Sequence, residues 1–431
     1  MKRILLGTVV LSLCLSNGTF RAEAASGELR EAAECRIRGG LPHVFEKLQK
    51  GREVRIAYLG GSITAQPGWR VKTLAWFRQQ YPQAQVKEIN AAIGGTGSEL
   101  GVFRLEHDVL RHQPDLLFVE FAVNDGGTPL ERIHQAMEGI VRKTWKKEAG
   151  TDICFVYTLT EGMVKTLQAG KCWRSAGAME ALADHYGIPS IHMGIEVVRL
   201  EQEGKLIFKA PRPKTDEEKA ELGDKILFSP DGVHPYPDSG HQLYFEAVVR
   251  SLLKIRRTGS PDPHKLPRPL VKEPWEEARM VPLSRARLST GWHKLDEKKH
   301  PLAQRFGQRL GELWKANQPG ETITYRFRGT KLLIYDLLGP DSGQVIVRVD
   351  EKPMKITPRF DAYCTYHRLA TLAVAEGLPW GEHRVHLEIH PDQPDKARIL
   401  SKRKQKIDDP KRFDDTAWYA GAILLIGEPV D

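Results

Sequence analysis

The chain is short of several things, and each shortage excludes something. Of its five cysteines, Cys14 lies in the N-terminal stretch, and Cys35, Cys154, Cys172 and Cys364 are scattered over the remaining length. That spacing matches neither a small disulfide-stapled scaffold nor a zinc site. No histidine, cysteine and acidic residues fall together at convincing zinc spacing, so no metal is expected. Apolar runs are short. Ile4 to Leu15 is apolar over only twelve residues, against the roughly 20 a membrane-crossing helix needs. Nothing later in the chain is longer, so no membrane insertion is expected. The glycine patterns of dinucleotide-binding and phosphate-cradling loops are missing as well.

What is present describes a globular protein. Hydrophobic residues make up 41% and charged residues 28% of 431, a soluble composition in a chain long enough for two domains. Met1-Lys2-Arg3, the apolar stretch and the small residues of Ala22-Glu23-Ala24 read together as a cleaved secretory signal over 1–24. Leu13, standing before Cys14, is too large for lipoprotein processing. The mature chain is therefore expected to be secreted or periplasmic. The net charge of +9 is spread along the chain apart from runs such as Lys402-Arg403-Lys404. That pattern fits a solvated surface better than a nucleic-acid site, though it would favour acidic glycans.

From about residue 52, apolar runs alternate with amphipathic ones. Val54 to Leu59, Val86 to Ala91, Leu116 to Ala122, Ile153 to Leu159 and Ser190 to Met193 read as strands. Ile133, Met137, Ile140, Val141 and Thr144 share one helical face, and a last helix is expected over about Ser239 to Arg256. This alternation predicts an α/β fold, a flavodoxin-like parallel sheet with helices on both faces, over 25–256. Residues 257–275, rich in proline and basic residues, read as a linker. Beyond it, short strands are separated by turns: Glu321 to Arg328, Lys331 to Asp336, Gln344 to Asp350, His383 to His390 and Ala417 to Ile426. They predict a C-terminal, jelly-roll-like β-sandwich over 276–431, serving carbohydrate binding or completing the active site. Lys402–Lys411 reads as an exposed loop.

Four short blocks carry the chemistry. Gly60-Gly61-Ser62-Ile63-Thr64 follows the first strand, where a glycine-flanked turn can expose a serine hydroxyl; alone, this serine reads as a helix cap. Gly94-Gly95-Thr96-Gly97 follows the second strand, with a backbone free to aim an N–H at a ligand. Asn124-Asp125 ends the third strand, placing a carboxamide near the same point; alone, it reads as a turn. Asp231-Gly-Val-His234 precedes the last helix. Its carboxylate can hold one imidazole nitrogen while the other faces a serine.

In this order, each beside a strand end, the blocks resemble the SGNH (GDSL-type) hydrolase superfamily, named for the residues that match Ser62, Gly95, Asn124 and His234. The resemblance covers roughly residues 50–255. Gly95 is chosen over Gly94 because it lies five residues after Asn90, where the family's oxyanion glycine usually stands. Two departures occur: the first block reads Gly-Gly-Ser-Ile-Thr, as in carbohydrate-directed branches, and Ala122 replaces a common glycine.

The resemblance implies a serine esterase that needs no organic cofactor. Ser62 is then the nucleophile, His234 its base and Asp231 the residue that orients the imidazole. Ser62, Gly95 and Asn124 form the oxyanion hole. Weaker substrate-binding candidates are Arg70, set against a structural arginine, and Tyr366 with His367, set against an ordinary strand. His241 is expected on the final helix without a chemical role. Similarity to bacterial carbohydrate esterases implies an acylated glycan as substrate, most simply an O-acetylated one. One such branch pairs the same two modules with the sandwich first. A lipid-directed esterase or lysophospholipase, and a catalytically silent glycan-binding protein, are the competing readings.

Overall fold

The computed structural model describes residues 29–430; the expected signal segment lies outside them. The N-terminal region holds a six-stranded sheet: β1 (Cys35–Arg36), β2 (Val54–Gly60), β3 (Val86–Asn90), β4 (Leu116–Glu120), β5 (Asp152–Tyr157) and β6 (Ser190–His192). Their order is β1-β6-β5-β4-β2-β3. β2 to β6 are parallel, and only β1 runs antiparallel, at the edge. The chain steps from β2 out to β3 and then crosses back to β4 on the other side of β2. That reversal opens a crevice at the carboxyl ends of the strands. The expected α/β fold is observed.

The sequence builds this sheet by keeping its middle apolar. Every residue of β4 and of β5 is buried, as strands covered on both faces require. The helix Leu130–Lys147 covers one face through Ile133, Met137, Ile140, Val141 and Thr144. Two short parallel strands, β7 (Leu206–Lys209) and β8 (Ile226–Ser229), form a separate ladder. Four residues each, they are too short to stand out as a pattern, yet β8 delivers the chain to Asp231.

The C-terminal region is an antiparallel sheet of ten strands. Its spine is one long strand, Thr322–Leu338, where the sequence suggests two separated by Gly329. The glycine interrupts only the register. The strand pairs with Gly381–Ile389 before that point and with Arg368–Ala375 after it, keeping Trp418–Pro429 alongside.

The linker is not a free tether. Glu138, fully buried, accepts the N–H groups of Leu270 (2.5 Å) and Val271 (2.9 Å), and Arg142 donates to the Pro267 carbonyl. One apolar core then runs through both regions. Val102, Phe103 and Phe121 of the first belong to the same cluster as Trp275, Tyr335, Leu337 and Leu424. At its rim Lys331 pairs with Glu99 and Glu376 while its ammonium lies 4.1 Å from the centre of the Trp275 ring.

Candidate active site

Ser62 opens a four-residue helix directly after β2. The turn is too crowded for side chains on its glycines. A Cβ on Gly60 would stand 2.9 Å from the Glu120 carbonyl, and one on Gly61 would collide with the Asn124 carboxamide. The first and third blocks are thus pressed together, as the crossover from β2 to β4 dictates. The second block is tied in by the Ile93 N–H donating to the Gly60 carbonyl at 3.0 Å. Gly95 has φ +75°, a left-handed conformation that favours glycine. Gly94 faces the nucleophile turn, since a Cβ there would lie 3.5 Å from the Ser62 Cβ. Both glycines are exposed.

The fourth block closes the arrangement. His234 Nε2 lies 2.9 Å from Ser62 Oγ, and Nδ1 lies 2.7 Å from Asp231 Oδ2. Asp231 Oδ1 accepts the N–H groups of Val233 (2.9 Å) and His234 (2.8 Å), with the Ser229 hydroxyl at 3.1 Å. Gly232 takes φ +81° to let the loop fold back on this carboxylate. Partial desolvation works to raise Asp231, but the hydrogen bonds from the His234 ring, the two N–H groups and Ser229 prevail. They hold its carboxyl well below the usual range. Since Asp231 therefore carries no proton at neutral pH, Nδ1 of His234 holds the hydrogen and Nε2 is free to accept the serine's.

Several supporting groups escape a motif search. Glu120, the last residue of β4, is buried behind the turn and accepts the hydroxyls of Thr64 (2.9 Å) and Thr158 (2.7 Å). Desolvation raises its pKa. Its one sequence signal is an acid closing an otherwise apolar run. Asp125, buried beside Asn124, accepts the Ser98 N–H at 3.1 Å, and desolvation pushes it up to about 6. His241 is buried on the final helix. Its Nδ1 accepts the Trp69 N–H and its Nε2 meets Gln66 Oε1, both at 3.1 Å, which steadies the segment after Ser62. Desolvation lowers it to about 4, so it stays neutral.

The weaker substrate candidates read differently in three dimensions. Arg70 is buried, not presented to a ligand; it donates to the Thr64 carbonyl at 2.9 Å and pairs with Glu88. It buttresses the nucleophile turn instead of binding an acidic group. Tyr366 and His367 lie in a turn before the strand Arg368–Ala375, not in a strand. Tyr366 is half exposed. His367 is held by Asp341 at 2.7 Å and packs edge-on against Tyr419.

Residues 58–243 match the GDSL-like Lipase/Acylhydrolase family. The α/β region is a GDSL-like acylhydrolase domain. The chain is accordingly a carboxylic ester hydrolase. A sequence comparison with curated proteins finds no match. Among solved structures, the acylhydrolase and its β-rich partner together resemble a two-domain esterase (CEX) active on acetylated mannans. The form co-crystallized with mannopentaose gives a TM-score of 0.67 at 22% identity, covering 91% of this chain and 97% of that one. A second structure of that esterase gives 0.66 at 21% identity with the same coverage. The two-domain fold is therefore shared over 91% of this chain.

Proposed function

We propose that this acylhydrolase is an exported serine esterase that removes O-acetyl groups from a polysaccharide or oligosaccharide. The observation that carries the reading is the unbroken relay from Asp231 through His234 to the Ser62 hydroxyl, at 2.7 and 2.9 Å. In it, Ser62 Oγ attacks the acetyl carbonyl as His234 Nε2 takes the hydroxyl proton, and Asp231 stabilises the imidazolium. The oxyanion is received by the N–H groups of Ser62 and Gly95 and by the Asn124 carboxamide, each worth about 3 kcal/mol of barrier. His234 returns the proton to the departing sugar oxygen. Water, deprotonated by the same imidazole, then splits the acetyl-enzyme to acetate and free Ser62.

Exposed Gly94 and Gly95 carry no side chain to hold a long acyl chain beside the nucleophile, which favours acetyl. Among the described residues, no helix is long and apolar enough to cross a membrane. The export expectation rests on the N-terminal residues alone. Acetylated mannan is the first glycan to offer, since a solved esterase sharing both domains acts on acetylated mannans. Purified protein should release acetate from it or from aryl acetates, and Ser62→Ala should abolish release while leaving glycan binding unchanged. Undiminished turnover in that variant would sink the mechanism. Preference for long acyl chains would favour a lipid substrate, and binding without turnover a silent glycan receptor.

A further inference from the structure

At the opposite end of the parallel sheet, three residues far apart in sequence converge. His43 comes from the helix Pro42–Gln49, Asp152 opens β5, and His264 belongs to the inter-domain linker. One ring nitrogen from each histidine and one Asp152 oxygen lie within 4.8 Å of one another. We propose that they bind a divalent transition-metal cation, with zinc as the probe, and that the cation fastens the linker to the base of the acylhydrolase domain.

The donor set is right for the ion. Two imidazoles and a carboxylate are zinc ligands, and three protein donors leave a fourth position for water. In a tetrahedral site with bonds of about 2.0–2.2 Å, ligand atoms stand roughly 3.5 Å apart. His264 Nε2 and Asp152 Oδ1 are already 2.9 Å apart, so a modest shift of the rings completes the geometry.

The donors are also held in place. Asp152 is fully buried, and its second oxygen accepts the Val44 N–H at 2.8 Å. The His264 ring stacks on Trp145 at 4.6 Å, with its backbone N–H on the Ala149 carbonyl. His43 Nε2 donates to the Asp262 carbonyl at 2.9 Å, leaving Nδ1 its lone pair. A carbonyl that takes one ring N–H fixes the orientation of an imidazole. A solvent path exists as well, because His43 also lines a cavity of about 690 Å³ with Glu148, Thr151 and Pro263. A simple His264–Asp152 hydrogen bond accounts for two of the three residues. The His43 ring, held from the Asp262 carbonyl, brings a third donor within 4.8 Å of that pair.

The site is remote from the chemistry. Asp152 sits level with Leu116 and hence with Ile56, six residues or roughly 20 Å below Ser62 along the strand direction. The cation would therefore stabilise the linker's seat without touching turnover.

The test uses tag-free full-length protein stripped with a chelator. Calorimetric titration with ZnCl2 should show one high-affinity site per chain, and Co2+ should give the visible absorption of a low-coordinate site. Zinc at a hundredfold excess over Kd should raise Tm by about 3 °C. His43→Ala and His264→Ala should each weaken binding at least about 30-fold, and stripped and loaded protein should hydrolyse an aryl acetate equally. His264→Gln keeps a donor to Asp152 without the imidazole, so it should fold and still lose the metal. Failure of the wild-type chain to take up zinc or cobalt would overturn the proposal. Unaltered affinity in the folded His264→Gln and His43→Ala variants would do the same.

Discussion

His234 and His264 each hydrogen-bond an aspartate, at 2.7 and 2.9 Å, yet the two pairs have almost nothing else in common. Asp231 and His234 lie three residues apart on one loop, with side chains 50% and 36% exposed. Asp152 and His264 are joined across 112 residues, with the carboxylate wholly buried and the ring stacked on an indole. The decisive contrast is the third partner. For His234 it is the Ser62 hydroxyl, which has a proton to give; for His264 it is another imidazole, the His43 ring 5.1 Å away centre to centre. An imidazole–carboxylate pair is neither catalytic nor structural in itself. What completes it, and whether water reaches it, decides.

Exchanging each aspartate for asparagine separates the two roles, and the largest effect belongs to the exposed pair. Asp231→Asn should cut kcat by about 10⁴ with KM little changed, because the amide favours the wrong tautomer of His234; steady-state kinetics on an aryl acetate reads this directly. Asp152→Asn should leave kcat where it is. It should cost about 1–3 kcal/mol of stability in denaturant unfolding, since its NH2 meets the N–H of either Val44 or His264. The reverse outcome, with the buried exchange silencing turnover, would break the comparison.

The smallest effect comes from a carboxylate that has no imidazole. Burial raises Asp125 to about 6, from about 3.9 in an unfolded chain. Between those values the folded chain binds the extra proton, so this group's contribution to stability falls as pH rises from about 4 to 6. Asp125→Asn removes that slope. Its Tm should gain on the wild type by about 2 °C per pH unit across the window, and stay level with it above. A constant difference between the two would mean that Asp125 is ionised throughout.

The same contrast explains what could be read from the amino acids alone. Ser62, Asn124, Asp231 and His234, which the fold brings together, are legible because their blocks are local and sit at strand ends, where a parallel sheet gathers its loops. The strands β2, β4 and β5 are legible because burial on both faces keeps them almost continuously apolar. His43, Asp152 and His264 form no pattern, since their meeting depends on where a helix, a strand start and a linker happen to dock. Arg70 was ambiguous for a related reason: position after a nucleophile says nothing of whether Glu88 is waiting for it. Gly329 was misread as a strand end because a register shift inside a long strand carries the same glycine as a turn.

The core shared between the two regions has a consequence for ancestry and engineering. With Phe103 and Phe121 packed in one cluster with Tyr335 and Leu424, neither half owns a finished surface on that side. Cutting the chain after residue 256 would present a broad oily face to solvent and invite aggregation. Grafting the C-terminal sheet onto another hydrolase would do likewise unless the recipient offered a matching face. In this chain the two domains are therefore one piece for engineering, to be moved together or not at all.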